Sequence, residues 1–306
     1  MSLEPGAEGE RFIVMEPGKD ELYTDIMACD KKIKPKKIGG TWYPSRPTAK
    51  DLEGAIVVIH YHGGGYSLGD GRIQDCGFAA SLIEDHTPAK YILCPQYRLA
   101  WHEGSRFPAA LQDALTSYLY VIHTLNIPPN RVVLSGDSAG AHMIVQFLRY
   151  MSEHASLRIP APKAAWLWSP WCDAATALLD PHAVYRAQHY QTDFLPSHHL
   201  PQWMAETYPP RPSTDVTVAH PYITQQGHPF EVVCKVFTMM GGVEVNLGGV
   251  VRWHEEMEGV AENDGKLELW IEEFAPHDIL KCGKFLGFEK EAAYAVKKAA
   301  VFTWSE

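Results

Sequence analysis

Apolar runs of strand length alternate along this chain with segments whose apolar residues recur at helical spacing, and this alternation narrows the possible folds most. The runs fall at 55–61, 90–95, 131–136, 163–169, 231–239 and 266–274. Between the second and third, Ala110, Leu111, Ala114, Leu115, Tyr118, Leu119 and Ile122 repeat with a helical period. Runs of this kind separated by helices belong to a mostly parallel central sheet covered on both faces, an α/β fold. With 306 residues and 46% hydrophobic content, one domain spanning 1–306 is expected. From 171 to 227 the alternation stops: no strand pattern occurs, and Pro, His and aromatic residues are dense. That stretch lies between two core runs and is expected to be an inserted helical cap, joined by the N-terminal segment of about 1–30.

Charge excludes several classes of partner. The 27 basic and 37 acidic residues leave a net charge of −10, and such a surface repels phosphate backbones and anionic membranes. Nucleic acid and membrane are therefore not expected partners. The basic run Lys31-Lys32-Ile33-Lys34-Pro35-Lys36-Lys37 is expected to be a solvated edge strand protected by Lys and Pro, not a nucleic-acid patch. No basic start followed by an apolar run opens the sequence, and no apolar run approaches about 18 residues. Six cysteines occur without a C-x-x-C pair, and no Asn-x-Ser/Thr sequon is present. Reduced thiols and a cytoplasmic location are the expectation.

The most informative motif follows the run at 131–136. Gly136-Asp137-Ser138-Ala139-Gly140 has the form G-x-S-x-G, and a helix-period stretch with Met143, Ile144, Phe147 and Leu148 comes next. A serine hydroxyl needs presentation and a base to act as a nucleophile, and a sharp strand-to-helix turn presents it above the sheet. Gly136 and Gly140 are expected where a side chain would collide, because strand and helix nearly touch there. The helix that follows aims its N-terminal amides at developing negative charge. Upstream, the run at 55–61 passes into His62-Gly63-Gly64-Gly65-Tyr66, a loop whose backbone can approach an oxyanion closely.

Together with Tyr97-Arg98-Leu99 and Phe107-Pro108-Ala109-Ala110-Leu111-Gln112-Asp113, these blocks make the chain resemble the hormone-sensitive-lipase-like branch of the α/β-hydrolases, which includes esterases and arylacetamide-deacetylase-type enzymes. The resemblance runs from about residue 55 onward and implies an α/β-hydrolase fold with a cap. It also implies an oxyanion hole formed by the N–H groups of Gly64, Gly65 and Ala139. One departure stands out: Trp101-His102-Glu103-Gly104 replaces the family's usual Pro-Glu after the Tyr-Arg-Leu-Ala block.

Chain order in this fold is nucleophile, acid, histidine. His277, in Phe274-Ala275-Pro276-His277-Asp278, leaves the C-terminal end of the last run and is the expected base. Glu244, in Met240-Gly241-Gly242-Val243-Glu244, occupies the turn after the run at 231–239 and is the expected acid. Glu231 sits at the wrong end of that run, Glu255, Glu256 and Glu258 read as an exposed helix face, and Asp264 precedes the last run. His60-x-His62 and His198-His199 raise metal binding, but neither forms H-E-x-x-H; no Walker loop and no G-x-G-x-x-G occurs. No metal and no cofactor is expected.

The expected activity is serine-dependent hydrolysis of small to medium apolar or aromatic esters through an acyl-enzyme. Cap residues Tyr185, Tyr190, Phe194, Leu195, Trp203, Met204 and Tyr208 are expected to roof the pocket, with Phe194 and Trp203 setting acyl-length preference. An acyltransferase or lyase on the same scaffold, or a receptor without catalysis, is the alternative.

Overall fold

The computed structural model describes residues 2–195 and 200–305. Eight strands form one sheet: β1 (Phe12–Met15), β2 (Ile38–Tyr43), β3 (Val57–Tyr61), β4 (Tyr91–Gln96), β5 (Val132–Asp137), β6 (Ala164–Trp168), β7 (Lys235–Gly241) and β8 (Leu267–Glu272). Their spatial order is β1-β2-β4-β3-β5-β6-β7-β8. The pairs from β4 through β8 are parallel, while β1–β2 and β2–β4 are antiparallel. Each run expected from the sequence is therefore a strand, and the sheet is mostly parallel as expected.

Burial on both faces explains why the runs of β3 to β7 are largely apolar, whereas edge strand β8 is half-buried and interleaves Glu. In β3, Val57, Ile59 and Tyr61 enter one core and Val58 the other. The first core packs against α2 (Ala109–Leu119), α3 (Ala139–Glu153) and α6 (Leu247–Glu258). The second packs against α1 (Ile73–His86), α7 (Ile279–Leu286) and α8 (Glu289–Trp304). Two buried indoles in β6 find acceptors: Trp166 donates to Thr303 Oγ1 at 2.8 Å and Trp168 to Ser135 Oγ at 2.8 Å. Left unpaired, each would cost about 1–3 kcal/mol.

Two expectations are corrected near the N-terminus. The basic run is a turn and extended loop, not an edge strand; β2 begins only at Ile38 and lies inside the sheet. Lys34 contributes its carbonyl, which accepts from Arg98 at 3.0 Å, so this loop is held by its backbone while the lysines face water. Within the segment expected to join the cap, residues 12–15 are instead part of the sheet, and residues 23 and 27 bond to α2. Phe12–Met15 form the edge strand, and Tyr23 bonds Thr116 Oγ1 on α2 at 2.8 Å. Gln112 reaches the carbonyls of Met27 at 2.6 Å and Ile33 at 3.1 Å. Asp30 pairs with Arg211 of the 171–227 stretch at 2.6 Å. The reason both strands escaped sequence reading is composition: β2 reads Ile-Gly-Gly-Thr-Trp-Tyr, and β1 has four residues.

Between β6 and β7, the 171–227 stretch contains α4 (Ala174–Leu179), a 3-10 turn at Ala183–Arg186 and α5 (Leu200–Thr207), with no strand among its described residues. The ends of β3, β5, β6, β7 and β8 are in register: Tyr61 faces Gly136, Asp137 faces Trp168, Trp168 faces Met239, and Gly241 faces Glu272. The loops leaving them therefore converge at one edge. The chain path reverses between β3 and β5, the place where open α/β sheets hold ligands.

Candidate active site

Ser138 sits at the turn between β5 and α3 with φ 50° and ψ −112°, a conformation a non-glycine residue adopts only under constraint. Its N–H donates to Trp168 O at 2.8 Å, and its carbonyl accepts from His142 N at 3.0 Å. A Cβ on Gly136 would lie 2.7 Å from the Gly140 backbone, and one on Gly140 would lie 2.0 Å from Tyr61 O. Strand, turn and helix thus close to contact distance, as the glycines led one to expect.

The structure brings Ser138, His277 and Glu244 together. His277 Nε2 lies 3.0 Å from Ser138 Oγ, and His277 Nδ1 lies 2.7 Å from Glu244 Oε2. Both His277 (2% exposed) and Glu244 (0%) are buried. The second Glu244 oxygen accepts from Ser169 Oγ at 2.9 Å and from the Gly241 N–H, which orients the carboxylate. Ser169 in turn accepts from Asp278 N at 3.0 Å, tying the acid to the His277 loop. Burial by itself would depress the imidazole pKa. The hydrogen bond and charge of Glu244, helped by Asp193 and Asp278, outweigh burial and push His277 up to about 9. The rival acids lie elsewhere: Glu231 pairs with Lys266, Asp264 is exposed before β8, and Glu255 and Glu258 are exposed on α6.

The glycine loop is fastened on both sides. Gly63 N–H donates to Asp137 Oδ2 at 2.6 Å, and the Tyr97 hydroxyl donates to His62 O at 2.7 Å. Gly64 (φ 100°) and Gly65 (φ 59°) adopt the left-handed region, and a Cβ on Gly64 would lie 2.4 Å from Leu68 O. Among the described residues, the N–H groups of Gly64, Gly65 and Ala139 donate to no protein acceptor. All three residues line space that Ser138 also lines.

His60 and His62 face protein partners. His60 Nδ1 is 3.0 Å from Ser135 Oγ and Nε2 is 3.2 Å from Asp137 Oδ1, while His62 stacks on Tyr97 at 4.2 Å. His198 and His199 lie outside the described residues. Beneath the turn, Asp137 and Asp278 form a buried carboxyl pair. Burial opposes ionisation of Asp137, but His60 and neighbouring donors hold it below the usual carboxylate range. Burial and the Asp137 charge push Asp278 far above that range. Asp137 and Asp278 stand inside the two motifs and were open to recognition. Ser169 and Asp193 lie in no motif, and only the fold brings them to Glu244.

Ser138 borders two spaces. A cavity of about 140 Å3 is lined by Trp171, Ala177, Leu195, Met204 and Val245, with Gly65 and Ala139. A second of about 360 Å3 is lined by Phe194, Leu195, Trp203, His277, Asp278 and Lys281, with Gly64. Of the aromatic residues expected to roof the site, Tyr185 and Tyr190 line neither space, and Tyr208 is buried against Tyr66 at 4.2 Å. Trp101, in the departing loop, meets Trp203 at 6.1 Å.

The model of a family described as alpha/beta hydrolase fold matches residues 58–277. An acetyl-hydrolase of Streptomyces hygroscopicus is 35% identical over 130 residues, covering 42% of this chain and 40% of that protein. Esterase LipI of Mycobacterium tuberculosis is 28% identical over 163 residues, covering 49% and 48% respectively. The chain thus spans less than half the length of these curated relatives. The crystal structure of a hormone-sensitive lipase from a metagenome library superposes with a TM-score of 0.66 at 20% identity, covering 87% of this chain and 81% of that one. None of the helices is long and apolar enough to cross a membrane, among the described residues. The chain belongs to the alpha/beta-hydrolase fold family, in its hormone-sensitive-lipase-like branch.

Proposed function

We propose that this chain is a serine carboxylic-ester hydrolase acting through an acyl-enzyme on Ser138. The observation that carries this reading is the unbroken path from Ser138 Oγ through His277 to Glu244, beside three N–H groups with no acceptor among the described residues. His277 Nε2 takes the Ser138 proton as Oγ attacks the ester carbonyl. Glu244 holds the Nδ1–H tautomer and stabilises the imidazolium that forms. Gly64, Gly65 and Ala139 donate to the oxyanion, and His277 then passes its proton to the departing alcohol. A water molecule repeats the sequence to release the acid. The acetyl-hydrolase and esterase among the relatives support ester chemistry.

The stretch 171–227 acts as the cap. The leaving oxygen must reach His277, which lines only the larger space among the described residues, so the alcohol occupies that side. The acyl group then enters the smaller cavity. At about 140 Å3 it is close to the ~150 Å3 of a cavity that accepts benzene, so it accommodates roughly six carbon atoms. Phe194 and Trp203 line the alcohol side, which replaces the acyl-length role expected of them from sequence.

A series of p-nitrophenyl esters from acetate to palmitate tests this reading. Catalytic efficiency should climb through butyrate or hexanoate and collapse beyond. A flat profile, or a maximum at palmitate, would overturn the substrate assignment; hydrolysis of none would overturn the activity.

A further inference from the structure

Three consecutive residues of the cap meet the acid–base pair. The Thr192 hydroxyl shares its one proton between the carbonyls of Val243 at 3.0 Å and His189 at 3.1 Å, and Asp193 Oδ2 accepts from Val245 N–H at 2.8 Å. The peptides on both sides of Glu244 are thereby gripped by adjacent residues. Phe194 sets its ring edge-on to His277, with centroids 6.0 Å apart. Asp193 is itself buried, 7% exposed, and its other oxygen accepts from Leu195 N at 3.3 Å, which shapes its own turn. One oxygen each of Asp193 and Glu244 and a ring nitrogen of His277 lie within 4.8 Å of one another. From the opposite side Gly242 N donates to Glu272 O at 2.8 Å, Val243 N to Ala275 O at 3.2 Å and Ser169 Oγ to the Glu244 carboxylate at 2.9 Å.

We propose that Thr192 and Asp193 are positioning residues, a brace by which the seated cap holds Glu244 and His277 in working geometry. The proposal rests on the hydrolase reading above, and it makes the cap a part of catalysis as well as a wall of the pocket. Asp193 touches neither Ser138 Oγ nor the oxyanion donors by any hydrogen bond, so it acts through Glu244 and His277. The charged or titratable groups facing His277 are Glu244 from the β7 turn, Asp193 from the cap and Asp278 from its own loop. Lys281 and Cys282 border the same space from α7.

The test separates the grip from the charge. Asp193→Asn keeps an acceptor for Val245 N–H and removes the negative charge; Asp193→Ala removes both. Steady-state kinetics on p-nitrophenyl butyrate and NMR titration of the His277 imidazole are read together. Asp193→Ala should lower kcat about tenfold with KM within about threefold, the scale of one lost hydrogen bond to a charged group. Asp193→Asn should keep most of kcat at high pH and lower the His277 midpoint by about 1 unit. An unchanged midpoint in Asp193→Asn would overturn the proposal, as would a rise in KM without loss of kcat in Asp193→Ala. If Asp193→Ala fails to fold, the isosteric Asn variant decides. The imidazole titration needs no turnover, so it judges the brace even if no ester is hydrolysed.

Discussion

The sheet side of the site and the cap side are built differently. On the sheet side, Ser138, the glycine loop, Glu244 and His277 each follow a parallel strand, and their spacing follows from ladder register. A shift of one residue would turn every core side chain to the wrong face, so the register is strongly specified. On the cap side, short helices and turns are placed by side-chain contacts such as Tyr208 on Tyr66 and Asp30 with Arg211. Elements held in this way belong to the less stable part of a structure and are free to vary in shape. Under the proposed function the two sides divide the work: the sheet carries the chemistry and the cap the choice of substrate, with Thr192 and Asp193 crossing between them.

Changes on the sheet side should therefore lower turnover for all esters. Glu244→Gln should reduce kcat by roughly 10^3–10^4-fold, because the wrong imidazole tautomer is favoured. Asp264→Asn, at the far end of β8, should leave kcat unchanged; the reverse outcome would name a different acid. The pH profile checks the same contact. Only neutral imidazole takes the serine proton, so kcat/KM rises as His277 deprotonates. With its pKa pushed up to about 9, the rise continues well above the ordinary 6.5 of histidine. Removing the Glu244 charge should move that midpoint downward.

Gly64→Ala should have the next largest effect, a loss of about 10^2-fold in kcat, by displacing one oxyanion donor. The added Cβ meets Leu68 O at 2.4 Å and sits at φ 100°. Unaltered kcat would remove Gly64 from the oxyanion hole.

On the cap side the effects should be smaller and selective. Ala177→Leu adds bulk to the 140 Å3 cavity and should shift the preferred acyl chain shorter. Each methylene lost from burial weakens the longer ester by about 0.8 kcal/mol, or roughly fourfold. Trp203→Ala should leave acyl preference in place and relax discrimination among leaving alcohols. An acyl shift in Trp203→Ala without one in Ala177→Leu would reverse the assignment of the two spaces.

The same division explains what the sequence reveals. Strands β3 through β8 are buried on both faces or carry apolar alternation, so their pattern is plain in the chain. The turn at Ser138 and the loop at His62–Tyr66 need glycine for steric reasons, and glycine is visible. Glu244 and His277 were legible because chain order and strand ends leave few positions for them. β2 escaped because paired glycines lower strand propensity, although Phe12 and Met15 fill the space above them. β1 escaped within the N-terminal segment because polar composition does not say which layer a stretch covers. Asp193 was invisible because it reaches Val245, beside Glu244, across 52 residues through the fold of a segment without periodicity.

Covalent labelling asks directly whether Ser138 is the nucleophile. The protein is incubated with a fluorophosphonate and its intact mass and peptide map are recorded. The wild type should gain one phosphonyl group, carried by the peptide containing Ser138, and Ser138→Ala should show no adduct and no ester hydrolysis. An adduct on another residue, no adduct on the folded wild type, or a Ser138→Ala variant that still hydrolyses esters would contradict that assignment.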